Sequence, residues 1–245
     1  MARLHRDVMR ILITDIVTGT RASGDKLPRE VDLAEQFGVS RGVARETIRA
    51  MEERGLIAVK HGKGATVSGP DSWNVFDPDV LGVMLESERS VEILAQYLEC
   101  RRILEVEAVG LAAERARPEH LEQAAEALRR MEDAATRPES RTTEELFHEA
   151  DIGFHQAIIA ATGNRALGSL VERIHSALLV ARYPLARPQY RVERALPEHR
   201  RILAAVTSGD PAEARAAMQD HLDTIAGYLR ERVPTASRTD GVAAG

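Results

Sequence analysis

Residues 33–49 read Leu33-Ala34-Glu35-Gln36-Phe37-Gly38-Val39-Ser40-Arg41-Gly42-Val43-Ala44-Arg45-Glu46-Thr47-Ile48-Arg49, two helical patterns separated by a three-residue turn. Leu33, Ala34 and Phe37 form the inner face of a short helix. Gly38 stops it, Val39 packs inward, and Ser40 supplies the N-cap of the next helix. That next helix carries Val43, Ala44, Thr47, Ile48 and Met51 on one side. Arg41, Arg45 and Arg49 form a second stripe at four-residue intervals. Upstream, Val8, Ile11, Leu12 and Ile16 give helical spacing from Arg6 to Val17, and Gly24-Asp25 with Pro28 marks a turn. Downstream, Gly55-Leu56-Ile57 ends the second helical pattern. Leu56–Lys60 and Ala65–Ser68 then read as short strands around the His61–Gly64 turn.

Two helices across a tight turn, followed by a β-hairpin, predict a winged helix-turn-helix. A helix fits the major groove, and exposed arginines there can bond guanine edges or phosphates. An arginine triplet alone is more often a solvated helix face. With turn, cap and wing in register, the stripe reads as a groove reader formed by Arg41, Arg45 and Arg49. The wing glycines let backbone approach DNA, with His61, Gly62 and Lys63 meeting the phosphate backbone or minor groove.

The chain has 245 residues and a formal charge of −5, which taken alone argues against nucleic acid. The charge is uneven. Residues 1–70 hold 12 Lys and Arg against 9 Asp and Glu, a net of +3, whereas residues 71–245 hold 21 against 29, a net of −8. Gly69-Pro70-Asp71-Ser72 marks the break. The division expected is a DNA-binding domain over 1–70, a linker over 71–90, an all-helical domain over 91–233 and a disordered tail over 234–245. Aromatics are 4%, so the cores rest on aliphatic residues, which favours a mainly α fold. No apolar run approaches the ~20 residues of a membrane span. Asp15 interrupts the N-terminal apolar stretch, unlike a signal peptide. The single Cys100 excludes an internal disulfide framework and fits a reducing cytoplasm.

From Val91 to Val233 the pattern is helical, with breaks that imply six or seven helices. The first runs from about Val91 to Arg115 and places Arg101 on its apolar stripe. A buried arginine needs either an anionic ligand or a carboxylate, and Glu105 at i+4 is the nearest candidate. Asp151 and His155 are spaced i, i+4, and His199 and His221 lie on the inward stripes of two further helices. One buried imidazole is ordinary. Three beside a carboxylate are costly unless something coordinates them, and this set suits Zn, Ni, Mn or Fe. His148 shares the Asp151 face as a rival or supporting group, and His175 reads as core or as a pocket-lining donor.

These residues also resemble a family. Leu27-Pro28-Arg29-Glu30, Gly38-Val39-Ser40-Arg41, Arg45-Glu46, Gly55-Leu56-Ile57 and Gly62-Lys63-Gly64 are similar to the DNA-binding domain of GntR-type bacterial transcription regulators. That resemblance implies operator contacts from Arg29, Ser40, Arg41, Arg45, Arg49 and the wing. Val31 stands where many relatives carry a basic residue. Arg101-Arg102-Ile103-Leu104-Glu105, Asp151 to His155, Gly163-Asn164, Glu198-His199 and Met218 to His221 resemble the all-helical effector domain of the FadR subfamily. By that resemblance Asp151, His155, His199 and His221 hold a divalent metal, zinc first. Arg101, with Arg102, Asn164 and His175, meets a small carboxylate effector. Trp73-Asn74 and Asp77-Pro78-Asp79-Val80-Leu81 are similar to the linker of galactonate-type sugar-acid regulators. The family implies a cytoplasmic homodimer, usually a repressor, on a pseudo-palindromic DNA operator, with no membrane partner and no enzymatic activity. A metal-free acyl or dimerisation module is the alternative for the helical domain. A metal-dependent hydrolase is more remote, because no His-Glu-x-x-His pattern occurs.

Overall fold

The computed structural model describes residues 2–60, 62, 64–138, 140–180 and 194–232. His61, Lys63 and the tail 234–245 lie outside the described residues. The chain divides into two compact units, one from Met1–Ile93 with Arg173–Tyr183, the other from Leu94–Glu172 with Pro184–Gly245.

The first unit begins with α1 (Ala2–Val17), which buries Val8, Met9, Leu12, Ile13 and Ile16 along one stripe. Next come α2 (Glu30–Phe37) and α3 (Arg41–Glu53). Gly38 takes a left-handed φ of 63° and closes α2, a conformation that costs a side-chain-bearing residue more than glycine. Ser40 Oγ accepts the Val43 N–H at 3.3 Å and starts α3. Ala44, Thr47 and Met51 of α3 are buried. Strands β1 (Ile57–Lys60) and β2 (Gly64–Val67) pair antiparallel, from Ile57 opposite Val67 to Lys60 opposite Gly64.

The stretch expected to act as a linker is built into this unit. A single turn of 3-10 helix at Pro70–Ser72 leads to α4 (Pro78–Leu85). Asp77 caps α4 by accepting from the Asp79 and Val80 N–H groups, and Pro78 occupies the first turn, where its missing N–H costs nothing. Val80 and Val83 share the core of α1 and α3, with Trp73 packed against it. Trp73 also donates its indole N–H to the Ser68 carbonyl at 3.3 Å. The junction tolerates only glycine at position 55. Its φ is +70°, and a Cβ there would stand 1.9 Å from the Ser72 carbonyl oxygen.

The second unit is helical among its described residues: α5 (Ser90–Arg115), α6 (Pro118–Thr136), α7 (Arg141–Ala160), α8 (Arg165–Val180), α9 (Leu196–Ser208) and α10 (Pro211–Arg232). These six agree with the six or seven read from the sequence. Phe154, Met131, Ile158, Ile202 and Met218 are fully buried at its centre. Gly110 lets the Arg215 guanidinium lie against α5, where a Cβ would come within 2.4 Å of Cζ, and Arg215 then reaches Glu107 at 3.1 Å. No described helix is long and apolar enough to cross a membrane.

Candidate functional site

In the first unit the core-facing stripe of α3 leaves Arg41, Arg45 and Arg49 exposed at four-residue intervals. Arg49 meets Glu53 at 3.1 Å, but both are largely exposed, so this pair contributes little and opens readily to a phosphate. Ser40 is exposed and its hydroxyl is engaged in the α3 cap. Arg29 is exposed at the start of α2. Val31 is 47% exposed, an apolar side chain on the same helix. Gly62 is exposed with a φ of 73° in the hairpin turn. The arginine stripe, the cap and the hairpin therefore stand as the sequence implied.

In the second unit, α7 contributes Asp151 and His155 from one face, α9 contributes His199, and α10 contributes His221. One ligand atom from each of the four lies within 4.8 Å of all the others. His155, His199 and His221 are 0%, 0% and 2% exposed. Their ring centroids are 4.5–5.3 Å apart. His199 Nε2 stands 3.0 Å from Asp151 Oδ1.

Each imidazole has an oxygen at its Nδ1. For His155 it is Glu105 at 2.7 Å, for His199 the Ala195 carbonyl at 2.7 Å, and for His221 Glu198 at 2.8 Å. The hydrogen bonds at His199 and His221 favour the proton on Nδ1 and leave Nε2 for another group. His221 Nε2 is buried without a hydrogen-bond partner among the described residues, a costly state unless a group binds there.

Electrostatics prepare the same donors. Burial pushes His155 and His221 down to about 3, against the opposing pull of Glu105 on His155 and with the charge of His199 adding to it at His221, so both are neutral at pH 7. Burial alone would raise the Asp151 carboxyl. The His199 hydrogen bond and charge, followed by the charges of His155 and His148, outweigh it and hold Asp151 well below the usual carboxylate range. One carboxylate and three imidazoles match the oxygen and nitrogen ligands of a transition-metal ion. With one donor atom from each within 4.8 Å of the others, the four side chains could share a single ion.

Arg101 is 4% exposed on α5, with its Nε 2.6 Å from Glu105 Oε1. Burial opposes its charge, but Glu105, with Asp151 behind it, outweighs burial and raises its pKa. The carboxylate partner read from the i+4 spacing is therefore present, and Arg101 also lies within the field of the Asp–His cluster.

Three expected effector contacts stand elsewhere. Arg102, one position on, turns about 100° around the helix axis, is exposed and pairs with Asp223 at 3.4 Å. Asn164 is exposed, and its side chain accepts the Leu167 N–H to start α8. His175 is buried in the part of α8 that groups with the first unit. His148 is half-buried one turn before Asp151, outside the four-residue group. Sequence reasoning missed Glu198 and the contact of Glu105 with His155. Only the adjacency of Glu198 to His199 hinted at the first.

Comparison with known proteins agrees with both halves. Residues 4–67 match the model for bacterial regulatory proteins of the gntR family, and residues 96–224 match the FCD domain. The HTH-type transcriptional regulator LutR of Bacillus subtilis is 33% identical, over 89% of this chain and 99% of that protein. The galactonate operon transcriptional repressor of Escherichia coli is 32% identical, over 84% of this chain and 90% of that protein. The fold is shared with Lar, which controls expression of the Listeria monocytogenes agr system, at a TM-score of 0.65 and 19% identity over 94% of this chain and 97% of that one. The relatives are transcription regulators rather than enzymes, and a helix-turn-helix with an FCD domain accounts for most of the described chain. The chain belongs to the gntR family of bacterial regulatory proteins, as a DNA-binding transcription regulator of the FadR type.

Proposed function

We propose that this regulator is a metal-dependent repressor of a catabolic operon, released by a small carboxylate such as a sugar acid. The observation that carries the reading is the buried group of Asp151, His155, His199 and His221 with Arg101 beside it. Those four residues would hold a divalent ion, zinc first, with nickel, manganese and iron as alternatives. A bound ion would supply a Lewis-acidic pole for carboxylate and hydroxyl oxygens. Arg101 supplies a second positive group from α5, and the dry surroundings strengthen both interactions. The name of the galactonate operon repressor supports a sugar acid and a repressing role.

At the other end, two copies related by two-fold symmetry would set two α3 helices on the half-sites of a pseudo-palindromic operator. Arg41, Arg45 and Arg49 would read base edges and phosphates. Arg29, Ser40 and the 61–63 turn would fix the register from the flanks. Such a regulator acts in the cytoplasm, on the nucleoid. The effector matters only through its different affinity for DNA-competent and DNA-incompetent states, a coupling of about 1–3 kcal/mol.

Elemental analysis of the purified protein, followed by a thermal-shift screen of sugar acids, hydroxy acids and dicarboxylates with and without chelator, tests the reading. A stabilising carboxylate whose effect disappears with chelator supports it. An effector that binds equally well to metal-stripped protein replaces it with a metal-free pocket.

A further inference from the structure

Glu105 is fully buried, and it divides its two oxygens between two different partners. Oε1 takes the Arg101 Nε at 2.6 Å. Oε2 is 2.7 Å from His155 Nδ1 but 3.4 Å from Arg101 Nη2. With Nη2 also donating to Oε2, guanidinium and carboxylate form the two-bond fork they favour, its second limb long. Oε2 also lies closer to His155 Nδ1 than to that second guanidinium nitrogen.

Building on the metal-site reading above, we propose that Glu105 is a positioning residue that aligns His155 for the ion and Arg101 for the effector carboxylate at the same time. A carboxylate can only accept, so the proton of His155 stays on Nδ1 and its Nε2 lone pair faces Asp151, His199 and His221. On its other side Glu105 engages the Nε edge of Arg101, which directs the guanidinium and neutralises it until a ligand arrives. The other two imidazoles lack this link. His199 leans on a main-chain carbonyl, and His221 on Glu198, whose side chain is 20% exposed. Glu105 ties an ion ligand to the nearby cation, so a shift of Arg101 toward an effector is felt at His155.

The test separates positioning from simple neutralisation. Zinc alone is titrated by calorimetry into the chelator-stripped full chain, as wild type, Glu105→Gln, Arg101→Met and the Arg101→Met/Glu105→Gln double variant. A glutamine can still accept from Arg101 with its oxygen. Its amide then donates toward His155 Nδ1 and favours the opposite tautomer. Zinc affinity should fall about 10–100-fold in Glu105→Gln. The double variant, with no buried charge left unpaired, should recover the melting temperature lost in Glu105→Gln but not the zinc affinity. Nitrogen-15 spectra of the metal-free wild type should find His155 protonated on Nδ1. A double variant that binds zinc within threefold of Arg101→Met, or the opposite tautomer in the wild type, overturns the positioning role and leaves the metal site standing. A wild type that binds none of zinc, nickel, manganese or iron overturns the metal-site reading and this proposal with it.

Discussion

At the scale of single residues, the two ends of the molecule make opposite demands on charge. Arg45 is exposed on α3, so its work lies in what it touches and not in the fold. Arg45→Ala is expected to leave the melting temperature within about 1 °C, because surface substitutions are usually near neutral. Operator affinity should fall about tenfold or more, as for the loss of one base or phosphate contact. A gel-shift titration at fixed salt checks this. The buried imidazoles behave in the reverse sense. Unfolded, His155 and His221 take up protons below their ordinary value of 6.5, while folded they resist until about 3. The unfolded state therefore binds more protons across that interval, so acid favours unfolding. Asp151, held low in the folded state, adds a further loss in stronger acid. Metal-stripped protein should lose stability on the order of 1 kcal/mol per pH unit for each imidazole as pH falls from about 6.5. Thermal melts between pH 7 and 5 in chelator would register it. The residue types at both sites were legible in the sequence because helical spacing places Arg41, Arg45 and Arg49, or Asp151 and His155, on one face. The Nδ1 partners were not legible, because Glu105 and Glu198 meet their imidazoles across helices. Arg102 and Asn164, named from the family resemblance, are exposed and engaged by Asp223 and the Leu167 N–H, partners that helical spacing did not indicate.

At the scale of elements, the least legible feature was the segment after the wing. Gly69-Pro70-Asp71-Ser72 reads as the start of a linker, yet the first unit runs straight through it. Beyond it, Asp77-Pro78 starts a helix whose valines complete the core of the first unit. Its eight residues are too short for periodicity to stand out. Arg54, at the C-terminal end of α3, binds this helix. Its guanidinium meets Asp77 at 3.1 Å and Asp79 at 3.2 Å and also donates to the Ala50 carbonyl at 3.1 Å. One side chain therefore closes the end of the recognition helix and fastens it to the cap of α4. Arg54→Ala should destabilise the protein by about 1–3 kcal/mol, since Asp77 is left largely buried without its cation. Operator affinity should fall with no DNA contact removed. Circular-dichroism melts paired with gel shifts would check both, and an unchanged melt would mean the pair is ornamental.

At the scale of the whole molecule, a net of −5 conceals a reader at +3 and an acidic remainder at −8. The acidic majority repels DNA and confines attraction to the small basic end, which favours specific docking over indiscriminate adhesion. Two separate cores also imply two thermal events. An ion that binds only the folded helical unit adds stability with the logarithm of its concentration, about 4 kcal/mol at a thousandfold excess over Kd. Scanning calorimetry should then find one transition that rises with zinc and falls with chelator, and another, belonging to the reader, that stays within about 2 °C.

Trp73 is the chain's single tryptophan, half-buried against the core of the first unit with its indole N–H on the Ser68 carbonyl. The molecule thus carries its own fluorophore, placed where the wing gives way to α4. Indole emission shifts to the red when its surroundings become wetter, so an effector signal that loosens this junction would be visible without any label. Stopped-flow fluorescence can follow that shift while the operator is released. Emission that stays constant through release would assign the control to a change that leaves the reader's internal packing intact.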